Sequence, residues 1–139
     1  MSKANVLTVN VVTPDGRIYE GTGKSVICTT TKGSIGFMPN RVPILASLAI
    51  DVVKIRKEDD SVEEIAVTGG FIEFSDNVLN VVASAAECVE DIDVERAKAA
   101  RERALKHIQD AKVSKDINDL RRAEIALRRA INRLKLTNN

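Results

Sequence analysis

Hydrophobic positions change their period once along this chain, near Asp91. Before that point apolar residues recur at every second position in short runs. The segment Val6-Leu7-Thr8-Val9-Asn10-Val11-Val12 alternates and is rich in β-branched side chains, which predicts a strand. Thr13-Pro14-Asp15-Gly16 follows as a turn. The same reasoning predicts strands over 17–19, 25–31, 45–57, 63–67, 70–74 and 77–83, with the charged tip Lys57-Glu58-Asp59-Asp60-Ser61 as a hairpin loop. Turns at this spacing suit a sandwich or barrel. Residues 33–43 read as a dense loop whose apolar Phe37, Met38 and Val42 must tuck beneath the strands or face a partner.

After Asp91 the chain contains no Gly or Pro, and apolar residues step by three and four. Val94, Ala97, Ala100, Ala104, Ile108 and Ala111 predict a helix over 94–112 with Asp93 as its N-cap. A polar break at 113–116 follows, with Asp116 favoured over Ser114 as the cap of a second helix. Leu120, Ala123, Leu127, Ala130 and Leu134 then repeat the stripe, the mark of an antiparallel hairpin seam. An alanine-rich seam buries little area, so the hairpin is weakly held and suited to movement. The chain therefore divides into a strand module over 1–86, a hinge over 87–92 and a helical hairpin over 93–139.

Charge sharpens the division. Residues 1–86 carry 8 basic and 10 acidic side chains, a balance of −2, whereas 92–139 carry 13 basic and 7 acidic, a balance of +6. The helical module is the one that faces anions. Aromatic residues make up only 3% of the chain and Trp is absent, which leaves no stacking platform for nucleic acid. No apolar run reaches membrane-span length, and no signal peptide is read at the N-terminus. Cys28 and Cys88 lack metal-like spacing and read as small core hydrophobes.

Enzyme templates find little to hold. His107 is the only histidine, so no zinc cluster is available. Gly33–Gly36 lacks the Lys-Ser/Thr ending of a phosphate loop, and Gly69-Gly70 reads as a tight turn or bulge. The arginines carry more information. Arg96, Arg122 and Arg128 have acidic neighbours at helical spacing in Asp93, Asp119 and Glu124. Arg103, Arg129 and Arg133 have none, and no acid follows Glu124. A hairpin turning near residue 115 sets Arg96 across from the region of Arg133 and Arg103 across from that of Arg129. Four guanidinium groups on one strip would suit phosphate or carboxylate; the competing reading is a solvated basic face, with the helix dipole accounting for Arg133.

Five segments in order resemble the epsilon subunit of F-type ATP synthase. They are Val12-Thr13-Pro14-Asp15-Gly16 with Tyr19-Glu20, the loop Gly33 to Leu45, Ala66-Val67-Thr68-Gly69-Gly70-Phe71-Ile72-Glu73, Ala85-Ala86-Glu87 with Asp91 to Ala97, and Arg122 to Leu134. The resemblance implies a ten-stranded β-sandwich followed by a C-terminal antiparallel two-helix hairpin. It implies a non-catalytic rotor subunit that joins the gamma subunit to the c-ring. Its helices would restrain ATP hydrolysis when extended toward the alpha and beta subunits. It implies ATP as a regulatory ligand, with Glu87, Ile92, Asp93, Arg96, Ala97, Arg103, Arg129 and Arg133 as the matching positions, no metal and no obligatory cofactor. It implies a c-ring-facing loop bearing Ser34, Phe37, Met38, Arg41 and Val42; Ser34 and Arg41 stand where the family commonly has an acid and a histidine. The implied location is the cytoplasmic face of the bacterial membrane, with the plastid thylakoid membrane as the alternative.

Overall fold

The computed structural model describes residues 4–137, which form eight strands, a single 3-10 turn and two helices. The strands are β1 (Leu7–Thr13), β2 (Gly16–Gly23), β3 (Ser25–Thr30), β4 (Gly33–Phe37), β5 (Ile44–Arg56), β6 (Val62–Ser75), β7 (Val78–Ala83) and β8 (Ala86–Cys88). The chain folds as two units, one ending at Cys88 and one beginning at Val89.

The first unit is a β-sandwich built from one folded-over sheet in the order β2-β1-β7-β6-β5-β3-β4, with β8 added to β6. All pairs are antiparallel except β1 with β7. The fold-over lies in the two longest strands. The β5–β6 ladder runs from Leu48 opposite Gly70 to Ile50 opposite Thr68 and skips the pair between. On one side of this break β6 pairs with β7, and on the other with β8. Eight strands thus replace the expected ten, because β5 and β6 each bend without ending; their halves counted separately restore that number. Gly69 and Gly70 carry φ of +85° and +119° at the bend, a conformation that glycine adopts without a Cβ clash. The separate strands expected over 63–67 and 70–74 are therefore one.

Alternation does the rest. Leu7, Val9 and Val11 of β1 and Leu79 and Val81 of β7 point inward and are fully buried, in one cluster with Val26, Cys28, Val53, Ile55, Ile65, Ile72 and Phe74. Burial pushes the Cys28 thiol up to about 12, so it remains protonated and unreactive at neutral pH. Residues 33–37, expected as loop, form β4 against β3, with Cys28 opposite Ile35 and Val26 opposite Phe37. Gly33 and Gly36 obscured an alternation that Ile35 and Phe37 in fact keep.

The second unit holds the 3-10 turn Val89–Asp91, α1 (Val94–Ser114) and α2 (Ile117–Thr137). Asp93 caps α1: its Oδ1 accepts from the Arg96 N–H at 3.1 Å. Lys115 closes α1 in the left-handed region, and its N–H donates to the Ala111 carbonyl. Asp116 caps α2, accepting from the N–H groups of Asn118 and Asp119, both at 3.1 Å. These hydrogen bonds lower its carboxyl pKa, that from Asp119 contributing most. Two residues thus reverse the chain, and α1 packs against α2. The buried positions of α1 are Ala97, Ala104 and Ala111, one every seven residues, and Ala123 and Ala130 continue the period on α2.

Candidate functional site

The seam alanines fix which side chains share a flank of the hairpin. Two antiparallel helices packed on the same seam are related by a twofold axis perpendicular to both. A residue immediately before a seam position therefore lies on the same flank in either helix, as does one three positions after it, since each residue turns by about 100°. Arg96 precedes Ala97, Arg103 precedes Ala104, Asp110 precedes Ala111, Arg122 precedes Ala123 and Arg129 precedes Ala130. Ala100, His107, Ser114, Ala126 and Arg133 occupy the positions three beyond.

A groove between the helices confirms this construction. It is lined by His107, Asp110, Ala111 and Ser114 of α1 and by Asp119, Arg122, Ala123 and Ala126 of α2. Its floor is alanine and its rims are polar. Toward the N-terminus of α1 the same flank carries Arg96 and Arg103, and toward the C-terminus of α2 it carries Arg129 and Arg133. The four arginines named from sequence thus lie on one strip. Among the described residues the side chains of Arg96, Arg103 and Arg129 have no ion pair.

Two neighbour assignments change. Asp93 is committed to the backbone N–H of Arg96, and no ion pair joins their side chains. Glu124 and Arg128 form no ion pair among the described residues either, and Arg128 is two positions before Ala130, off the strip. Arg122 does meet Asp119, at 3.9 Å. Arg122 belongs to the strip although its acidic neighbour concealed it; its place immediately before Ala123 was the available signal.

The remaining predicted positions divide between the units. Ala97 belongs to the seam, and Ile92 is buried two residues before α1. Glu87 lies in β8 opposite Ala66, within the sandwich unit. Asn132, on α2, is a buried polar residue that the apolar stripe did not reveal.

On the sandwich the loop after β4 is sorted by burial. Met38 and Val42 are 65% and 74% exposed. Ser34 is exposed on β4, and Arg41, also exposed, donates to the Gly36 carbonyl at 3.0 Å. Phe37 is instead a core residue with no exposed surface, so it presents nothing to a partner; only its ring face is reached, by the Arg41 guanidinium at 5.5 Å.

A second surface was not anticipated. The outward positions of four adjacent strands line up in two rows, Val12–Val82–Phe71–Ser47 and Asn10–Asn80–Glu73–Leu45. Glu73 is the one charged side chain in these rows, in a chain that is 29% charged. Leu45 and Phe71 are exposed there, and the buried Asn10 Oδ1 finds no hydrogen-bond partner. A face with so few charges is suited to burial against another protein.

A folded-over sandwich carrying an alanine-seamed helical hairpin defines the class. Residues 6–89 match the family described as ATP synthase, Delta/Epsilon chain, beta-sandwich domain, and residues 90–138 match ATP synthase, Delta/Epsilon chain, long alpha-helix domain. The chain belongs to the ATP synthase delta/epsilon family. It is 59% identical over 137 residues to the ATP synthase epsilon chain of Ligilactobacillus salivarius, covering 99% of each chain. It is 50% identical over 130 residues to that of Levilactobacillus brevis, covering 94% of this chain and 93% of the relative. A chain of the Euglena gracilis mitochondrial ATP synthase, solved as OSCP/F1/c-ring, shares the fold with a TM-score of 0.80 at 21% identity, over 97% of this chain and 82% of that one. Among the described residues no helix is long and apolar enough to cross a membrane.

Proposed function

We propose that this chain is the epsilon subunit of a bacterial F-type ATP synthase, a non-catalytic part of the central stalk whose helical hairpin is a nucleotide-responsive restraint on ATP hydrolysis. The observation that carries the regulatory part is the cationic flank. Arg96, Arg103, Arg129 and Arg133 share one strip beside a seam of alanines. In the compact hairpin, ATP phosphates neutralise Arg103, Arg129 and Arg133, while Asp93 and Arg96 define the adenosine end. Loss of ATP leaves Arg103 and Arg129 without that counter-charge. The hairpin then opens, and its basic flank meets acidic surface on the alpha and beta subunits. ATP shifts this balance by its differential affinity for the compact form.

The sandwich supplies attachment. Its sparsely charged rows, with Leu45 and Phe71 exposed, offer a face to the gamma subunit, and exposed Met38 and Val42 turn toward the c-ring. The chain then sits at the cytoplasmic face of the membrane through its partners. The family match and the named relatives support this reading, and the hairpin geometry supports the ligand.

Calorimetric titration of ATP into the full chain tests the site. Arg103→Ala and Arg129→Ala are expected to weaken binding about tenfold each, the scale of one charge-assisted contact. Arg128→Ala, off the strip, leaves it unchanged; equal losses in all three variants remove the site. The restraint is tested separately by comparing ATP hydrolysis of the complete assembly with and without residues 92–139. A large rise on truncation is expected, and an unchanged rate limits the chain to coupling.

A further inference from the structure

At one end of the sparsely charged face of the sandwich, β3 and β5 part. Their ladder ends at Thr30 opposite Leu48, with a last hydrogen bond from the Thr31 N–H to the Ser47 carbonyl at 3.1 Å. Beyond it, the turn after β3 and the start of β5 border an open groove of about 550 Å³, whose lining includes Thr31, Lys32, Leu45, Ser47 and Phe71. Leu45 and Phe71 are diagonal neighbours across the β5–β6 ladder, within reach of each other on one face. They are 69% and 46% exposed, an apolar patch with nothing over it. Two charges bracket the patch. Lys32 stands on the turn at its β3 side, and Glu73, opposite Leu45, at its β6 side, two strand spacings or about 10 Å away across the sheet. Both are exposed, and among the described residues neither forms an ion pair.

We infer that this groove anchors a protein partner: it takes one large apolar side chain between Leu45 and Phe71, while a carboxylate of the same partner segment meets Lys32 and a cation meets Glu73. The inference rests on the reading that this face meets the gamma subunit. Charge complementarity sets the order of the partner's side chains, basic then apolar then acidic, from the β6 side to the β3 side. On a helix, side chains at i, i+3 or i+4, and i+7 share one face and rise by about 10.5 Å, which matches the span from Glu73 to Lys32. Through Phe71 the groove continues into the uncharged pair Val82 and Val12 on β7 and β1, a surface wider than a small ligand covers. Desolvation of Leu45 and Phe71 supplies the attraction, and the two rim charges fix the register and speed the encounter.

The test is the binding kinetics of the full chain on an assembly of alpha, beta and gamma subunits that lacks it, at about 0.1 M and about 0.5 M salt. Leu45→Asp and Phe71→Asp are expected to weaken binding by more than about thirtyfold at both salt concentrations, the scale of a central anchor. Leu45→Ala, a milder change at the same place, is expected to lose about tenfold and serves where an aspartate variant fails to fold. Lys32→Glu and Glu73→Lys are expected to lose about three- to tenfold each at low salt, through slower association, and to match the natural chain at high salt. Val62→Asp is the control: Val62 is 48% exposed at the far end of β6, beyond the bend at Gly69 and Gly70, and its substitution leaves binding unchanged. Matching circular dichroism melts confirm that the variants fold. Equal affinity of the natural chain and the Leu45 and Phe71 variants overturns the anchor while leaving gamma binding intact. Undiminished binding by Lys32→Glu and Glu73→Lys at low salt overturns the assigned order of charges. Absence of binding by the natural chain overturns both the groove and the reading beneath it.

Discussion

The rings of Phe37 and Phe74 lie 5.4 Å apart, centroid to centroid, and 38° from coplanar. Phe37 ends β4 and Phe74 lies near the end of β6, so this tilted pair ties the β4 edge of the sheet to a central strand. Both are fully buried. Phe37→Ala is expected to destabilise the chain by about 3–5 kcal/mol, through lost burial and the cavity left behind. Met38→Ala, one residue on and exposed, is expected to change stability by less than about 0.5 kcal/mol. Urea unfolding followed by circular dichroism checks both, and equal midpoints for the two variants contradict the assignment of Phe37 to the core.

Gly70 gives the sharpest steric test. Its φ is +119°, and a Cβ at that position would lie 2.0 Å from the Val82 carbonyl oxygen. Gly70→Ala must break the close approach of β6 and β7 as well as strain the backbone, a loss of more than about 2 kcal/mol. Gly33 has a similar φ of +121° but open space around it. Gly33→Ala is expected to show the conformational penalty alone, about 1 kcal/mol. The difference between the two melting temperatures isolates the contact with Val82.

These two positions also show what was legible in the chain. Period-two alternation in β1, β3 and β7 and the alanine stripe of α1 were readable because one face of each element is buried. Asp93 and Asp116 announced the helix starts because their side chains complete local hydrogen bonds. Other features were not local. The unbroken passage of β6 through Gly69 and Gly70 depends on pairing with two different neighbours. The burial of Phe37 depends on Phe74, far away in sequence. The arginine strip was visible as missing carboxylates, but its extension to Arg122 and His107 required the seam register.

The two-residue turn between the helices carries opposite contributions. Lys115 sits at φ 60°, ψ 31°, where a side chain is strained and glycine is not. Lys115→Gly is expected to stabilise the hairpin by about 0.5–1 kcal/mol. Asp116 stabilises α2 through its ionised carboxylate, whose pKa is lowered in the fold. The stabilisation is present above the ordinary unfolded value of about 3.9 and is lost as pH falls through the lower folded value. Asp116→Asn retains a capping acceptor but does not titrate. Its hairpin melting temperature is expected to fall less between pH 5 and 2 than that of the natural chain. The depressed carboxyls of Asp59 and Asp60 lie in the sandwich unit and remain in both proteins, so they cancel in the comparison. Identical acid limbs in the two proteins contradict the cap.

The alanine seam allows the hairpin to be loosened without touching any charged group. Ala104 is buried at the middle of α1, and the heptad spacing that sets Ala111 beside Ala123 sets Ala104 beside Ala130. A larger side chain at this buried position is forced between the two packed helices, so the helix axes must separate. Ala104→Leu is expected to destabilise the packed hairpin by about 1–3 kcal/mol while leaving helix propensity high. Helicity of the full chain should therefore persist while cooperative melting of the hairpin shifts to lower temperature. Because Arg103 and Arg129 hold their strip only while the seam is closed, ATP affinity should fall in this variant although every arginine is present. Ala99→Leu, exposed on α1 and outside the seam, is the matched control and should leave both readouts unchanged. If Ala104→Leu lowers the melting temperature yet binds ATP as tightly as the natural chain, the arginines do not need the closed hairpin to act together.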